Sequence, residues 1–239
     1  MILVELGPGH GTLMKDIVRI LSKTDTLKLI NSIHLIETSP KLQNIQKETL
    51  KDISNVFFHK SVDDLPEDSA IFVANEFFDA FPIRQFFEGK ELKITSDGLS
   101  PHEPDKITED SPQTMKYFHT ILDYLTRYKG VFIIIDYGDL ELKGSTLQAV
   151  QKHHPVDPFE NPGESDLTAH VDFGKLQYTA ESRGFSTKFT TQRNFLLSLG
   201  IEVYSQKLLP QMPLIQDDLH RLVSPSEMGN LFKVLVIWN

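Results

Sequence analysis

No cysteine occurs in the 239-residue chain. That excludes disulfides, thiolate zinc sites and a cysteine nucleophile together, and it fits a reducing compartment. Basic charge is scarce: 24 Lys and Arg against 33 Asp and Glu give a net charge of -9. No Lys/Arg block is long enough to track a phosphate backbone, so no nucleic-acid partner is expected. Long apolar runs are also missing. The longest beside a strand, Val131 to Ile135, falls far short of the ~20 residues that cross a bilayer, so a soluble chain without membrane insertion is expected. A hydrophobic content of 40% suffices for one well-cored α/β domain.

The chain opens on its most informative stretch. Ile2-Leu3-Val4 reads as a buried strand, and Leu13, Met14, Ile17, Val18 and Leu21 recur at helical spacing between Thr12 and Leu21. Between them lie Gly7, Gly9 and Gly11. Glycines there let a ligand approach the backbone, and the following helix aims its unpaired N–H groups at the loop. A dinucleotide fingerprint would need glycine at Thr12, which argues against a nicotinamide oxidoreductase. The Gly-x-Gly-x-Gly spacing after Glu5 instead resembles the cofactor loop of class I S-adenosylmethionine-dependent methyltransferases. An acid at the strand end suits a cofactor that carries an ammonium group.

Strands and helices then alternate as in a parallel sheet. Ser32 to Glu37 reads as a strand ending in an acid able to accept from both ribose hydroxyls, and a helix from Lys41 to about Lys51 follows. Val56 to His59 and Ala70 to Ala74 are further strands, with Ser61 to Leu65 placed to flank an adenine. Asn75-Glu76-Phe77-Phe78-Asp79-Ala80-Phe81-Pro82 then combines aromatic bodies with polar tips, as clefts do, although the phenylalanines also suit a core. Arg84 to Phe87 and Leu92 to Ile94 suggest a hairpin, and Ser96 to Gln113 a polar loop. The stripe Met115, Phe118, Ile121, Leu122 and Leu125 marks a packing helix from about Thr114 to Tyr128, and Val131 to Gly138 a central strand.

Residues 139–172 are irregular and dense in His and Asp, which makes them a functional suspect. Asp172 looks like a helix cap, and Phe185 to Phe189 and Leu231 to Trp238 complete a seven-stranded, mostly parallel sheet with helices on both faces. Short helices are read over Gln192 to Leu199 and from Asp217 to Val223. The expected organisation is one Rossmann-like domain over 1–239 with an insertion at about 139–172. Because the chain starts inside the first core strand, that strand's helix-packed face is expected to be bare.

Six motifs in order resemble the MidA family. They are Glu5 to Met14, Ala74 to Ala80, Asp136-Tyr137-Gly138, Thr146 to Val150, Asp157-Pro158 through Pro162 to Phe173, and Met228 to Leu235. The resemblance implies a class I methyltransferase fold, S-adenosylmethionine as cofactor, and, for mitochondrial members, protein arginine methylation in respiratory complex I assembly. A complex I subunit is then the implied protein substrate. The location is cytoplasmic for a bacterial member or the mitochondrial matrix for a eukaryotic one. Members commonly carry arginine at the position of His10, and roughly a hundred residues ahead of the glycine loop that help close the site.

The residues expected to hold the cofactor are Glu5, Gly7, Gly9, Gly11, Glu37, Ser61 and Asn75. An arginine acceptor is cationic and needs carboxylates to hold it, which nominates Glu76 and Asp79, with His170 and Asp172 as second choices. His153, His154 and His170 lack the spacing of a metal site, and no metal is expected. The rival readings are another methyl acceptor on the same fold and a non-catalytic assembly factor that retains it.

Overall fold

The computed structural model describes residues 1–93, 103–152, 154–160, 163–210 and 212–239. The expectations for Ile94, for 96–102 of the polar loop, for His153 and for Pro162 lie outside the described residues. In chain order the elements are β1 (Ile2–Leu6), α1 (Thr12–Leu21), β2 (Ser32–Ile36), α2 (Pro40–Thr49), β3 (Val56–His59), β4 (Ala70–Asn75), β5 (Arg84–Phe87), β6 (Lys90–Glu91) and β7 (Ile107–Asp110). They continue with α3 (Pro112–Tyr128), β8 (Gly130–Asp139), β9 (Gln148–Gln151), β10 (His154–Val156), β11 (Asp166–Thr168), β12 (Val171–Asp172), α4 (Phe173–Ser182), β13 (Ser186–Thr191), α5 (Gln192–Ser198), α6 (Ile201–Leu208), α7 (Ile215–Val223), α8 (Met228–Leu231) and β14 (Phe232–Trp238).

The main sheet runs β13-β14-β8-β4-β1-β2-β3, and β12 pairs with the end of β8. Strands β3, β2, β1, β4 and β8 are parallel, and β14 is antiparallel to both neighbours. This is the mostly parallel class I methyltransferase architecture expected, with β12 as an eighth strand. Parallel strands buried on both faces are near-continuous apolar runs, and β1 and β4 read that way.

Strand β1 is buried at every position, which corrects the expectation of a bare face. On one side Leu3 packs with Met14 and Val18 of α1 and with Ile33, Leu35 and Leu50. On the other, Ile2, Val4 and Leu6 join Phe72, Phe132 and the α3 residues Phe118, Ile121, Leu122 and Leu125. Helix α3 starts cleanly because Ser111 accepts from Thr114 N–H and Pro112 needs no donor in the first turn.

The segment expected to be irregular is partly ordered as a small antiparallel sheet, with β9 flanked by β10 and β11. A second small sheet pairs β5 with β6 and β7, so the polar loop contributes a strand that its composition concealed. Among the described residues no helix is long and apolar enough to cross a membrane.

Candidate functional site

The carboxyl ends of β1, β2, β4 and β8 carry the candidate residues, because parallel strands deliver their following loops to one edge of the sheet. At the end of β1 the three glycines all take positive φ, +57°, +51° and +78°. Gly7 has a second constraint: a Cβ there would stand 2.6 Å from Cδ2 of Phe77. The glycine loop therefore lies directly against the aromatic loop that follows β4. Gly11 is the left-handed residue at the N-terminus of α1 and offers no side-chain cap, and of the first-turn N–H groups that of Met14 faces Glu5.

Glu5 is only 3% exposed, and its Oε2 has no partner. Burial raises its pKa to about 8, offset in part by the Met14 backbone N–H. At the end of β2, Glu37 is buried; its Oε1 accepts from Ser39 N–H at 2.7 Å and its Oε2 faces Gln46 Nε2 at 3.5 Å. Ser61 follows β3 but its hydroxyl serves a local turn, accepting from Asp63 N–H and donating to the Asp63 carboxylate.

The loop after β4 is built by a residue to which the sequence assigned no role. Asp136 on β8 is fully buried, and its Oδ2 accepts from the backbone N–H groups of Phe77, Phe78 and Asp79 at 3.2, 3.0 and 3.3 Å. Burial, then the neighbouring Asp79, holds Asp136 well above the usual carboxylate range. Asp79 is 4% exposed with Oδ1 unpartnered, and burial raises it too, against a hydrogen bond from Tyr137 that lowers it. Glu76 sits at φ +48°, a conformation L residues avoid, with its N–H held by Ile135 O at 3.0 Å. Its side chain is exposed and accepts from Asn75 Nδ2 at 3.3 Å and from the Tyr137 hydroxyl at 3.3 Å. Burial, then the charges of Asp79 and Glu76, push the Tyr137 phenol upward, so it keeps its one proton, which it donates to Glu76 with Asp79 close by.

His170 precedes β12, and its ring lies 6.5 Å from that of Tyr137. Its backbone N–H donates to Thr146 Oγ1 at 2.9 Å, and Thr146 in turn is held by Glu109 of β7. The two small sheets thus buttress His170. Burial lowers the His170 pKa, although Glu109 opposes this. Asp172 takes the cap role its position suggested, its Oδ1 accepting from Lys175 N–H at 2.9 Å at the start of α4. An aromatic wall of Phe77, Phe81 and Tyr117, with ring centroids 5.0 to 5.6 Å apart, closes one side of the glycine loop. Burial, then the charges of Asp63 and Glu37, raises the Tyr117 phenol. Among the described residues no three His, Asp or Glu side chains converge as a metal requires.

The structure therefore joins the Glu5 to Gly11 segment and Glu37 on one side, and Asn75, Glu76, Asp79 and His170 on the other. It turns Ser61 and Asp172 toward local turns. Gln46, Tyr117, Asp136, Tyr137 and Glu109 were missed as contributors. Only Asp136 and Tyr137 carried a signal, standing in a motif at the end of the most strand-like segment.

Residues 1–100 and 88–191 match the family model described as "Putative S-adenosyl-L-methionine-dependent methyltransferase". The chain belongs to this family. Curated relatives include the mitochondrial protein arginine methyltransferase NDUFAF7 homolog of Caenorhabditis elegans, 33% identical, with 87% of this chain and 59% of the relative covered. Another is protein arginine methyltransferase NDUFAF7, mitochondrial, of Danio rerio, 30% identical with 99% and 68% covered. The chain thus spans about three fifths to two thirds of these relatives' length. A Burkholderia thailandensis protein solved with S-adenosyl-homocysteine superposes with a TM-score of 0.83 at 25% identity, covering 99% of this chain and 71% of that one. The resemblance to the MidA family and the fold expected from it agree with these matches.

The donor set fits this family's cofactor. Gly9 has nothing within 4 Å of where a Cβ would be, so the loop is open to a ligand. Glu37 keeps acceptor capacity for ribose hydroxyls, and the unpartnered Glu5 oxygen suits the methionine ammonium.

Proposed function

We propose that the chain transfers a methyl group from S-adenosylmethionine to an arginine side chain of a protein. One observation carries the reading: the glycine loop is packed through Gly7 onto Phe77, so the cofactor-side loop and the acid-bearing Glu76 to Asp79 loop form one continuous site. Bound there, S-adenosylmethionine supplies an electrophilic methyl on its sulfonium. The protein holds and orients. Gly7, Gly9 and Gly11 give backbone access, Glu37 takes the ribose, Glu5 the ammonium, Asn75 the rim beside Glu76, and Ser61 stays a support of the adenine-side turn.

On the acceptor side, a guanidinium offers N–H donors in a planar fork that carboxylates receive well. Glu76 and Asp79 provide those carboxylates, and the buried unpartnered Oδ1 of Asp79 supports a donor arriving from outside the fold. Tyr137 donates to Glu76 close to Asp79 and helps to orient it, while Asp136 fixes the backbone beneath both acids. His170, with its pKa lowered, is neutral at pH 7 and available to accept a proton at the rim. Asp172 positions α4 behind it. Holding both reactants in line accounts for most of the acceleration expected of such a site.

The arginine acceptor and the mitochondrial matrix are parts of this proposal supported by the relatives' names, and a respiratory complex I subunit as substrate and, for a bacterial chain, action in the cytoplasm are parts of it that rest on the family resemblance. The test is incubation with methyl-labelled S-adenosylmethionine and an extract of the source cell, followed by hydrolysis and amino-acid analysis. Label in methylarginine is the expected result. Label confined to lysine, to small molecules or to no product would overturn it, the last favouring an assembly factor that retains the fold.

A further inference from the structure

We propose that Gln46 is a positioning residue for the cofactor, its amide fastening the glycine loop to the ribose-side acid; this rests on the cofactor reading above. Gln46 lies on α2 and is 0% exposed. Its Nε2 donates to Gly9 O at 2.8 Å and faces Glu37 Oε2 at 3.5 Å. Both partners only accept, so the amide orientation is fixed: turned over, its oxygen would oppose a carbonyl and a carboxylate. One side chain therefore spans the loops that follow two neighbouring strands, and its stem packs on the third glycine, with Cγ 3.5 Å from where a Gly11 Cβ would stand.

Packing alone does not account for a glutamine here. Its Oε1 is buried without a partner. A leucine of similar size would remove that unpaired acceptor, which offsets part of the cost of losing the amide's two contacts. What a leucine would lose is the link. Gly9 O would be left without its amide donor, and Glu37, held from one side by Ser39 N–H, would lose the Gln46 contact on the other. The carboxylate would then have to be ordered during binding, which weakens affinity.

The experiment is calorimetric titration of S-adenosylhomocysteine into the wild-type chain, Gln46→Leu and Gln46→Glu at pH 7.5 and 5.5, with a thermal melt of each. Gln46→Leu is expected to fold with a modestly lower melting temperature and to bind roughly tenfold more weakly. Gln46→Glu, whose ionised carboxylate would face Glu37 and a carbonyl, is expected to bind more than about tenfold more weakly at pH 7.5 and, relative to wild type at the same pH, to recover at 5.5 as it protonates. If Gln46→Leu does not fold, the pH recovery of Gln46→Glu decides alone. Wild-type affinity in a folded Gln46→Leu, or a Gln46→Glu deficit that pH leaves unchanged, overturns the inference and leaves the cofactor reading standing. A folded wild-type chain that fails to bind overturns both.

Discussion

Replacing Glu5 by Gln should make the unliganded protein more stable at neutral pH while weakening cofactor binding, two effects of opposite sign from one buried oxygen. Burial raises the Glu5 pKa from 4.5 to about 8. Between those values the folded chain keeps a proton that the unfolded chain has released, so stability falls as pH rises through that window, by ~1.4 kcal/mol per unit. At pH 7 the accumulated cost is ~3 kcal/mol, and Gln, always neutral, does not incur it. For a chain of this size that corresponds to a melting temperature about 6 to 12 °C higher at pH 7. At pH 4.5 both side chains are neutral and the difference should shrink toward zero. Denaturant titration of both proteins at pH 4.5, 6 and 7 measures the slope directly. A wild-type stability flat over that range, or a variant destabilised equally at each pH, would refute a protonated Glu5 in the folded chain. The functional arm uses the same proton: an arriving ammonium favours the carboxylate, so S-adenosylmethionine binding near pH 7 should release about one proton, measured by calorimetry in two buffers of different ionisation enthalpy. Gln at this position abolishes the release.

Gly7→Ala should cost on the order of 1–3 kcal/mol, because the new methyl meets Phe77 at 2.6 Å and the residue keeps a left-handed φ; denaturant titration and loss of S-adenosylhomocysteine binding are the readouts. Asp136→Ala strands three backbone N–H groups in the core and should destabilise by roughly 2–5 kcal/mol, with Asp136→Asn, which keeps one acceptor oxygen, losing less. Tyr137→Phe should fold within about 1 kcal/mol of wild type but lower the methyl-transfer rate, since it frees Glu76, beside Asp79, from its tyrosine donor; single-turnover kinetics with labelled cofactor separates that from a binding defect. Phe118→Ala, deep in the core and away from the loops, should cost about 3–5 kcal/mol and leave the affinity of the folded fraction unchanged.

The parts legible in the sequence are those where one strong local signal decides. The first helix was read over Thr12–Leu21 and is found there, because its apolar spacing and its preceding glycine agree. The long apolar run became β8, between β14 and β4. Strands β9 to β11 are hidden in the sequence because they are three or four residues long and bury almost nothing, so no alternation builds up. Helix α6, from Ile201, went unread because Val203 and Tyr204 are exposed and blur the apolar stripe.

At the site, glycine spacing and terminal acids are visible as chemistry in one dimension. Gln46 is not. A glutamine on a polar helix looks solvated until the helix docks over a loop 37 residues earlier. Asp136 stands in a motif at a strand end without a visible role, and only the tertiary fold brings three backbone N–H groups from the loop after β4 onto its carboxylate.

The most direct test of the central claim is calorimetric titration of S-adenosylmethionine into the folded chain, with Gly9→Val and a nicotinamide dinucleotide as controls. Saturable binding of S-adenosylmethionine, lost in Gly9→Val and absent for the dinucleotide, is the predicted result. Binding of the dinucleotide in its place, or S-adenosylmethionine binding that Gly9→Val leaves untouched, would contradict a cofactor site built on the glycine loop.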